Sequence, residues 1–202
     1  MKSDKKLFVN LMHGLTVAVF VVLILLIAIP VHAAPRKVSA QRQKFITYAL
    51  TLRGVPYVYG GHGPEDGGFD CSGFVSYVTK HGLNISLPRT AQAIYDRIES
   101  VMPYDREPGD LVFFKNNLAS KRVTHVGIYL GIYKGEGKFK GKRVFISAVS
   151  DGPKTGVLIS AMDEPFWKKH YFASGRFLPS TDEYNAIMSR TKNGGAGSLP
   201  KK

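Results

Sequence analysis

The stretch GGFDCSGFVSYV, residues Gly67–Val78, decides the fold and contains the only cysteine among 202 residues. An aspartate followed by an amphipathic run predicts a helix from about Cys71 to His81, with Asp70 as its N-cap and Gly82 at the C-cap position. A thiol in the first turn of that helix lies beside the positive end of the helix dipole and beside unpaired backbone N–H groups. Both features favour the thiolate and predict a lowered pKa for the thiol.

The sequence on either side of this helix predicts an α+β fold. Ser39 is a candidate N-cap for a helical pattern that ends near Arg53, and the segment entered through Pro88 has the pattern of a short helix. From Leu111 onward, short runs rich in β-branched and aromatic residues alternate with Gly, Lys and Pro turns: LVFF, THVGIYLGIY, RVFISAV, GVLIS and YFASGRFL. Helices followed by successive strands indicate an antiparallel sheet.

The two ends of the chain differ from the middle. A basic head, MKSDKK, the apolar run Leu15–Ile29 and small residues before Ala34 predict a signal peptide over residues 1–33 and export to the periplasm or the exterior. The alternative is an uncleaved inner-membrane anchor, because the apolar stretch approaches the ~20 residues that span a bilayer. We predict one catalytic domain over residues 34–180 and a polar, disordered tail over residues 181–202.

Charge and cysteine count limit the possible functions. The chain carries 28 Lys and Arg against 15 Asp and Glu, a formal net charge of +13, so it is expected to attract anions. For an exported protein these are wall polymers or lipid head groups, and nucleic acid is not expected as a partner. A single cysteine, no HExxH motif and histidines without ligand spacing predict no metal or other cofactor. The lone thiol is either buried and inert or kept for its chemistry.

A nucleophilic thiol needs a base from elsewhere in the sequence. His125 opens the predicted strand HVGIYLG and is the best placed of the histidines. His62 lies in a glycine-rich loop, and His81 and His170 lie at element ends, where solvated surface histidines are common.

Five motifs in order, YVYGG, GFDCSGFV, LPRTA, PGDLVFF and HVGIYLG, resemble those of the NlpC/p60 family of papain-like cell-wall cysteine peptidases. The similarity covers about residues 41–178. It implies a papain-like fold in which N-terminal helices pack on a central antiparallel sheet. It also implies that Cys71 is the nucleophile and His125 the base.

The resemblance extends to residues around the nucleophile. Tyr57 matches a tyrosine whose hydroxyl faces the site, where it would help to stabilise the oxyanion, and Asp70 and Ser72 match residues that line the substrate pocket. From the residues alone, Tyr57 is also compatible with a buried aromatic that anchors its loop. Asp70 and Ser72 are equally compatible with helix capping.

Two features depart from the family pattern. The third polar residue, usually histidine, asparagine or glutamine, corresponds here to Ser147 in VFISAVS, whose neutral hydroxyl can still accept a hydrogen bond from an imidazole. The turn before it is long and basic, and it is either a solvated turn or a contact for an anionic wall polymer or a membrane surface. Its cations are Lys134, Lys138, Lys140, Lys142 and Arg143.

The resemblance therefore implies an exported cysteine peptidase that hydrolyses amide bonds of peptidoglycan stem peptides or cross-links. The alternative is a catalytically weak or inactive wall-binding module of the same fold, since the third position has changed. Acyl transfer to or from lipid by the same Cys-His pair is a third possibility. The sequence does not choose between the D-glutamyl and cross-link bonds.

Overall fold

The computed structural model describes residues 38–152 and 154–183. The predicted signal peptide, and all of the predicted tail beyond residue 183, lie outside these ranges. Among the described residues, no helix has the length and apolarity needed to cross a membrane. The helices are α1 (Ala40–Thr51), α2 (Cys71–Leu83), α3 (Ala91–Tyr95) and α4 (Pro165–His170). The strands are β1 (His62–Gly63), β2 (Gly68–Phe69), β3 (Glu99–Val101), β4 (Leu111–Phe114), β5 (His125–Ile132), β6 (Arg143–Val149), β7 (Gly156–Ala161) and β8 (Tyr171–Arg176).

The six longer strands form one antiparallel sheet in the order β3-β8-β4-β5-β6-β7, and β1 pairs with β2 in a separate small hairpin. Helices α1 and α2 precede the sheet in sequence and contact each other, and α2 packs on β5 and β6. This arrangement confirms the predicted α+β fold of helices on a central antiparallel sheet. Four of these elements were not predicted from the sequence: the paired strands β1 and β2, the strand β3 and the helix α4.

The caps of the two long helices test the local reasoning. Ser39 caps α1 through a hydrogen bond from the Arg42 N–H, and Asp70 caps α2 through the Gly73 N–H, both as expected. The prediction of Gly82 as the α2 C-cap is wrong, because the helix continues to Leu83 and Asn84 takes the left-handed conformation, with φ of 58°. Asparagine adopts that conformation at smaller cost than other side-chain-bearing residues, and its N–H still bonds to a helix carbonyl.

The sheet carries a different core on each face. One core joins the sheet to α1 and α2 and includes Phe45, Phe74, Phe113 and Ile146, all fully buried. The other contains Val112, Phe114, Tyr129, Phe145 and Trp167, with the tryptophan supplied by α4. The alternation of side chains along each strand separates the two sets, and the second set packs around the beginning of β5.

A buried arginine ties the N-terminal helix to the end of the domain. The side chain of Arg42, which has no exposed surface, forms a 2.9 Å ion pair with Asp110 and donates hydrogen bonds to the carbonyls of Pro108, Leu178 and Pro179. Arg176 donates to both oxygens of the same aspartate. A buried guanidinium is tolerated when its donors are paired in this way, so the cluster fixes α1 against two distant segments.

Candidate active site

Cys71 is the first residue of α2, and its sulfur lies against the backbone of β5. The thiol is 3.8 Å from the Thr124 carbonyl oxygen, and its sulfur accepts a hydrogen bond from the Val126 N–H. These two residues flank His125 in the chain. The helix N-terminus therefore brings the predicted nucleophile against the predicted base, although the two are 54 positions apart in sequence.

The imidazole of His125 is hydrogen-bonded on its other side. Its Nε2 lies 3.1 Å from the hydroxyl oxygen of Ser147, which is fully buried on β6. The contact is diagonal across the two strands, because Ile128 pairs with Ile146 and Ser147 therefore lies opposite Gly127. A Cβ at residue 127 would lie 3.1 Å from the Ser147 Cβ, so the glycine leaves room for this approach.

Two aromatic rings enclose the same imidazole. The Trp167 ring centroid is 5.0 Å from that of His125, with 31° between the ring planes, and Phe114 lies at 5.9 Å. Trp167 is 8% exposed and was not identified from the sequence, since α4 was not predicted. A tryptophan outside the recognised motifs gave no signal that it would contact the histidine.

Burial shifts the pKa values of the thiol and the imidazole in opposite directions. It raises the pKa of Cys71, although hydrogen bonds from backbone N–H groups partly offset that effect. It lowers the pKa of His125 to about 4, against a smaller opposing effect of Asp70. Both shifts favour an uncharged thiol and an uncharged imidazole at neutral pH. The lowered thiol pKa expected from the helix terminus alone is therefore wrong, because desolvation outweighs the helix N–H groups.

Asp70 and Ser72 belong to one polar cluster with Arg89. The Arg89 guanidinium donates to both oxygens of Asp70, at 3.0 and 2.7 Å, and to the Ser72 hydroxyl at 3.0 Å. Burial disfavours ionisation of Asp70, but the hydrogen bonds from Arg89 and Gly73 outweigh it and hold the carboxyl pKa below its usual range. Arg89 was not proposed as a site residue, although it stands in the LPRTA motif. If Asp70 is expected to line a pocket, its carboxylate needs a cationic partner, and this requirement could have indicated Arg89.

Tyr57 lies close to the same cluster. Burial raises the pKa of its phenol, and the charges of Cys71 and Asp70 add to the effect, so the hydroxyl stays protonated as a hydrogen-bond donor. Its backbone pairs with Phe69, immediately before the α2 cap. The structure thus brings together Tyr57, Asp70, Cys71 and Ser72 on one side and His125 with Ser147 on the other.

A cavity of about 970 Å³ borders His125, and the residues that line it do not include Asp70, Ser72 or Arg89. Its walls include the aromatic rings of Tyr133, Phe139, Phe166 and Trp167, together with charged side chains of both signs. The cations are Arg53, Lys138 and Lys154, and the anions are Asp151 and Glu164. One residue of the basic hairpin, Lys138, therefore lines this cavity.

Most of the hairpin's cations have partners within the protein. Lys140 pairs with Glu136 at 2.9 Å and Lys142 with Asp163 at 3.2 Å. Lys138 approaches Glu164 at 4.0 Å. Arg143 opens β6 and hydrogen-bonds to the phenol of Tyr129. Two of these carboxylates, Asp163 and Glu164, approach the hairpin from outside the turn.

A cysteine at a helix N-terminus, packed against a strand that begins with a histidine bonded to a third polar residue, defines the papain-like class of α+β proteins. The NlpC/P60 family model matches residues 54–176, and the chain belongs to that family. The resemblance found in the sequence is confirmed.

Relatives matched over this region are named as endopeptidases or hydrolases. A probable endopeptidase, YafL of Escherichia coli, is 38% identical over 129 residues, 62% of this chain and 45% of that protein. The murein DD-endopeptidase and LD-carboxypeptidase MepS of E. coli is 35% identical over 126 residues, 62% of this chain and 57% of that protein. The gamma-DL-glutamyl hydrolase of Bacillus subtilis is 38% identical over 61% of this chain but only 26% of its own length. The chain thus matches from about a quarter to just over half of these relatives.

Solved structures share the fold. An NLP/P60 family protein from Staphylococcus aureus superposes with a TM-score of 0.56 and 29% identity, over 74% of this chain and 45% of that one. RipD from Mycobacterium tuberculosis, a non-catalytic NlpC/p60 domain protein adapted to peptidoglycan binding, gives a TM-score of 0.51 at 24% identity, over 69% and 99%. At that identity RipD bears on the fold alone.

Proposed function

We propose that this protein is an exported cysteine peptidase that hydrolyses amide bonds in the stem peptides or cross-links of peptidoglycan. The observation that carries the proposal is the position of His125. The backbone beside this histidine contacts the Cys71 sulfur, and its imidazole lies 3.1 Å from the Ser147 hydroxyl. Relatives at 35–38% identity that are named as endopeptidases support the substrate class.

In the proposed reaction, the Nδ1 atom of His125 takes the thiol proton as the sulfur attacks the amide carbon. The pair is uncharged at rest, so the proton moves when the substrate arrives and not before. The Cys71 backbone N–H and the Tyr57 hydroxyl donate hydrogen bonds to the oxyanion. His125 then protonates the leaving amine, and water attacks the resulting thioester to release the acid and restore the thiol.

The two sides of the site suggest how the substrate lies. The proton donor to the leaving amine is His125, so the leaving residue occupies the cavity that this histidine borders. The acyl side then lies against Tyr57 and the cluster of Asp70, Ser72 and Arg89, which is polar and preorganised by its own hydrogen bonds.

A wall-binding module with little or no activity is the second candidate. The observation that favours it is Ser147, whose hydroxyl is a weaker orienting group than the histidine or carboxamide usual in the family. A change at this position lowers the turnover of a Cys-His pair without removing the pair itself.

One experiment separates the two candidates. Purified protein is incubated with defined muropeptides and the products are identified by mass spectrometry, with the Cys71→Ser variant as the matched control. The peptidase proposal expects cleavage by the wild type and none by the variant, because a serine hydroxyl lacks the acidity that a Cys-His pair uses. Retention on sacculi without any cleavage supports the binding module, and equal cleavage by Cys71→Ser refutes the thiol mechanism.

Export is part of the same proposal. It rests on the basic head, the apolar run and the small residues before Ala34. N-terminal sequencing of the protein from the envelope fraction is expected to begin at or beside Ala34. A start at Met1 in the membrane fraction establishes the anchor instead.

A further inference from the structure

Ser147 is a small orienting group for a histidine that opens a strand. Its hydroxyl rotates about one bond and makes a single contact, at Nε2. One hydrogen bond to one nitrogen fixes a point on the imidazole but not the tilt of the ring about that point. Some other contact has to hold the plane if His125 is to meet the thiol in a single orientation.

The indole of Trp167 is the contact that fits this requirement. It lies 5.0 Å from the imidazole centroid with the planes 31° apart, a tilted arrangement in which the two rings are in direct contact. The indole is itself held by three aromatic neighbours: Phe114 at 4.9 Å, Phe145 at 5.1 Å and Phe166 at 5.0 Å. A large ring packed on this many sides has little freedom to move.

The same residue contributes to the burial of the histidine. Trp167 and His125 both line the 970 Å³ cavity, and the indole, itself 8% exposed, contacts the half-buried imidazole there. Removing the indole would expose more of the imidazole to the cavity water. Trp167 thus restrains the ring plane and limits the contact of the imidazole with water.

We propose that Trp167 is a positioning residue for His125, and that its indole restrains the ring plane that the single hydrogen bond to Ser147 leaves free. This proposal concerns how the proposed peptidase holds its base, but it rests on the His125 contacts alone. It is testable in a protein that cannot turn over.

Several charged or titratable groups face His125 and enter the expected pH behaviour. Cys71 and Asp70 approach from the α2 side, and Ser147 from β6. The cavity side carries Arg53, Lys138, Lys154, Asp151 and Glu164. Because the cavity is lined by charges of both signs, water entering through a Trp167 gap is expected to have a larger effect on the His125 pKa than any one of these charges.

The test is an NMR titration of His125 in a Cys71→Ala background, which removes both thiol chemistry and turnover. With Trp167 present, the imidazole is expected to titrate at a pKa of about 4. In Trp167→Leu the pKa is expected to rise toward 6.5, and in Trp167→Phe, which keeps a ring, to rise by less. In the active protein, Trp167→Leu is expected to lower kcat about tenfold or more while KM changes less than threefold.

Phe145→Leu is the matched control. Phe145 is fully buried in the same aromatic cluster, and its described ring contacts are with Phe114 and Trp167. This variant loses core packing, so its melting temperature is expected to fall without a comparable shift in the His125 pKa. A His125 pKa that stays near 4 in a folded Trp167→Leu protein, or that moves equally in Phe145→Leu, overturns the proposal. If Trp167→Leu does not fold, Trp167→Phe decides by the same criterion.

The titration keeps this proposal separate from the proposed function. If the protein has no peptidase activity but its His125 pKa depends on Trp167, the positioning role is supported and the peptidase proposal is refuted. If the protein is active and its His125 pKa does not depend on Trp167, the peptidase proposal is supported and the positioning role is refuted.

Discussion

Replacing Ser147 by alanine removes the hydrogen bond between its hydroxyl and His125. The substitution removes one hydroxyl from a fully buried position and leaves His125 Nε2 without the partner that lies 3.1 Å away. A neutral hydrogen bond contributes about 0.5–1.5 kcal/mol net, and a buried group left unpaired costs about 1–3 kcal/mol. Since ~1.4 kcal/mol in a barrier is a tenfold change in rate, we expect kcat to fall roughly 3- to 100-fold.

The assay is the initial rate of muropeptide cleavage by liquid chromatography, with kcat and KM fitted separately. Ser174→Ala is the control, since Ser174 is also a buried serine, 1% exposed. It lies on β8, away from β6, and its hydroxyl accepts a hydrogen bond from Arg106. Both variants are expected to lose stability, but only Ser147→Ala is expected to lose turnover. A folded Ser147→Ala protein that keeps the wild-type kcat shows that the hydroxyl does not orient the base.

Enlarging the same side chain tests the direction of the effect. Ser147→Asn is expected to raise kcat, because a carboxamide bonds the imidazole more firmly, whereas Ser147→His must fit a ring beside Gly127 in a buried position and is expected to destabilise the fold as well. Asp70→Asn keeps a good N-cap for α2 but loses the ion pair to Arg89, so KM should rise about tenfold while the melting temperature changes by a few degrees. Asp70→Ala, measured alongside, should lose both the N-cap and the ion pair. An unchanged KM in Asp70→Asn would show that the ion pair has no part in substrate binding. For the basic hairpin, we predict that changing Lys134, Lys138, Lys140 and Lys142 to Gln weakens binding to sacculi by only a few-fold at low salt, because three of these lysines already face carboxylates. The turnover of short muropeptides should not change. A loss of sacculus binding that persists at high salt contradicts this prediction. The pKa of His125 is lowered by burial to about 4, so the neutral ring stabilises the fold fully above pH 6.5 and this contribution is lost as the pH falls toward 4. Chemical denaturation of the Cys71→Ala variant should show a loss of up to about 3 kcal/mol across that window, and the same loss in a His125→Gln companion refutes the assignment.

The sequence was most informative where a residue type strongly prefers one local structure, such as a helix cap or a strand. Asp70 before an amphipathic run predicted the start of α2, and with it the position of the thiol. The β-branched and aromatic runs predicted five strands of the sheet, including both strands that carry His125 and Ser147. In these segments, local propensity and tertiary packing favour the same conformation.

What the sequence missed depends on contacts between distant segments. The short β3 and the six-residue α4 have no periodicity long enough to detect, and α4 forms because Trp167 packs into the second core. The pKa of Cys71 was expected to be lowered by the helix, but burial against β5 reverses the direction. The ion pairs of the basic hairpin with Asp163 and Glu164 could not be predicted, because these carboxylates lie about 20 positions or more beyond the turn's lysines in sequence.

The Arg42 cluster sets how far a usable fragment of this protein must extend. The family match begins at residue 54 and ends at residue 176, so the arginine and its acceptors at Leu178 and Pro179 all lie outside it. A gene trimmed to the recognisable stretch would delete Arg42, one of the two arginines that pair with the fully buried Asp110. It would also delete Phe45 and so expose the core residues that pack against it. For expression, crystallisation or domain grafting, the boundaries to clone are therefore those of the ion cluster, and recognition of the motif alone would cut inside the folding unit.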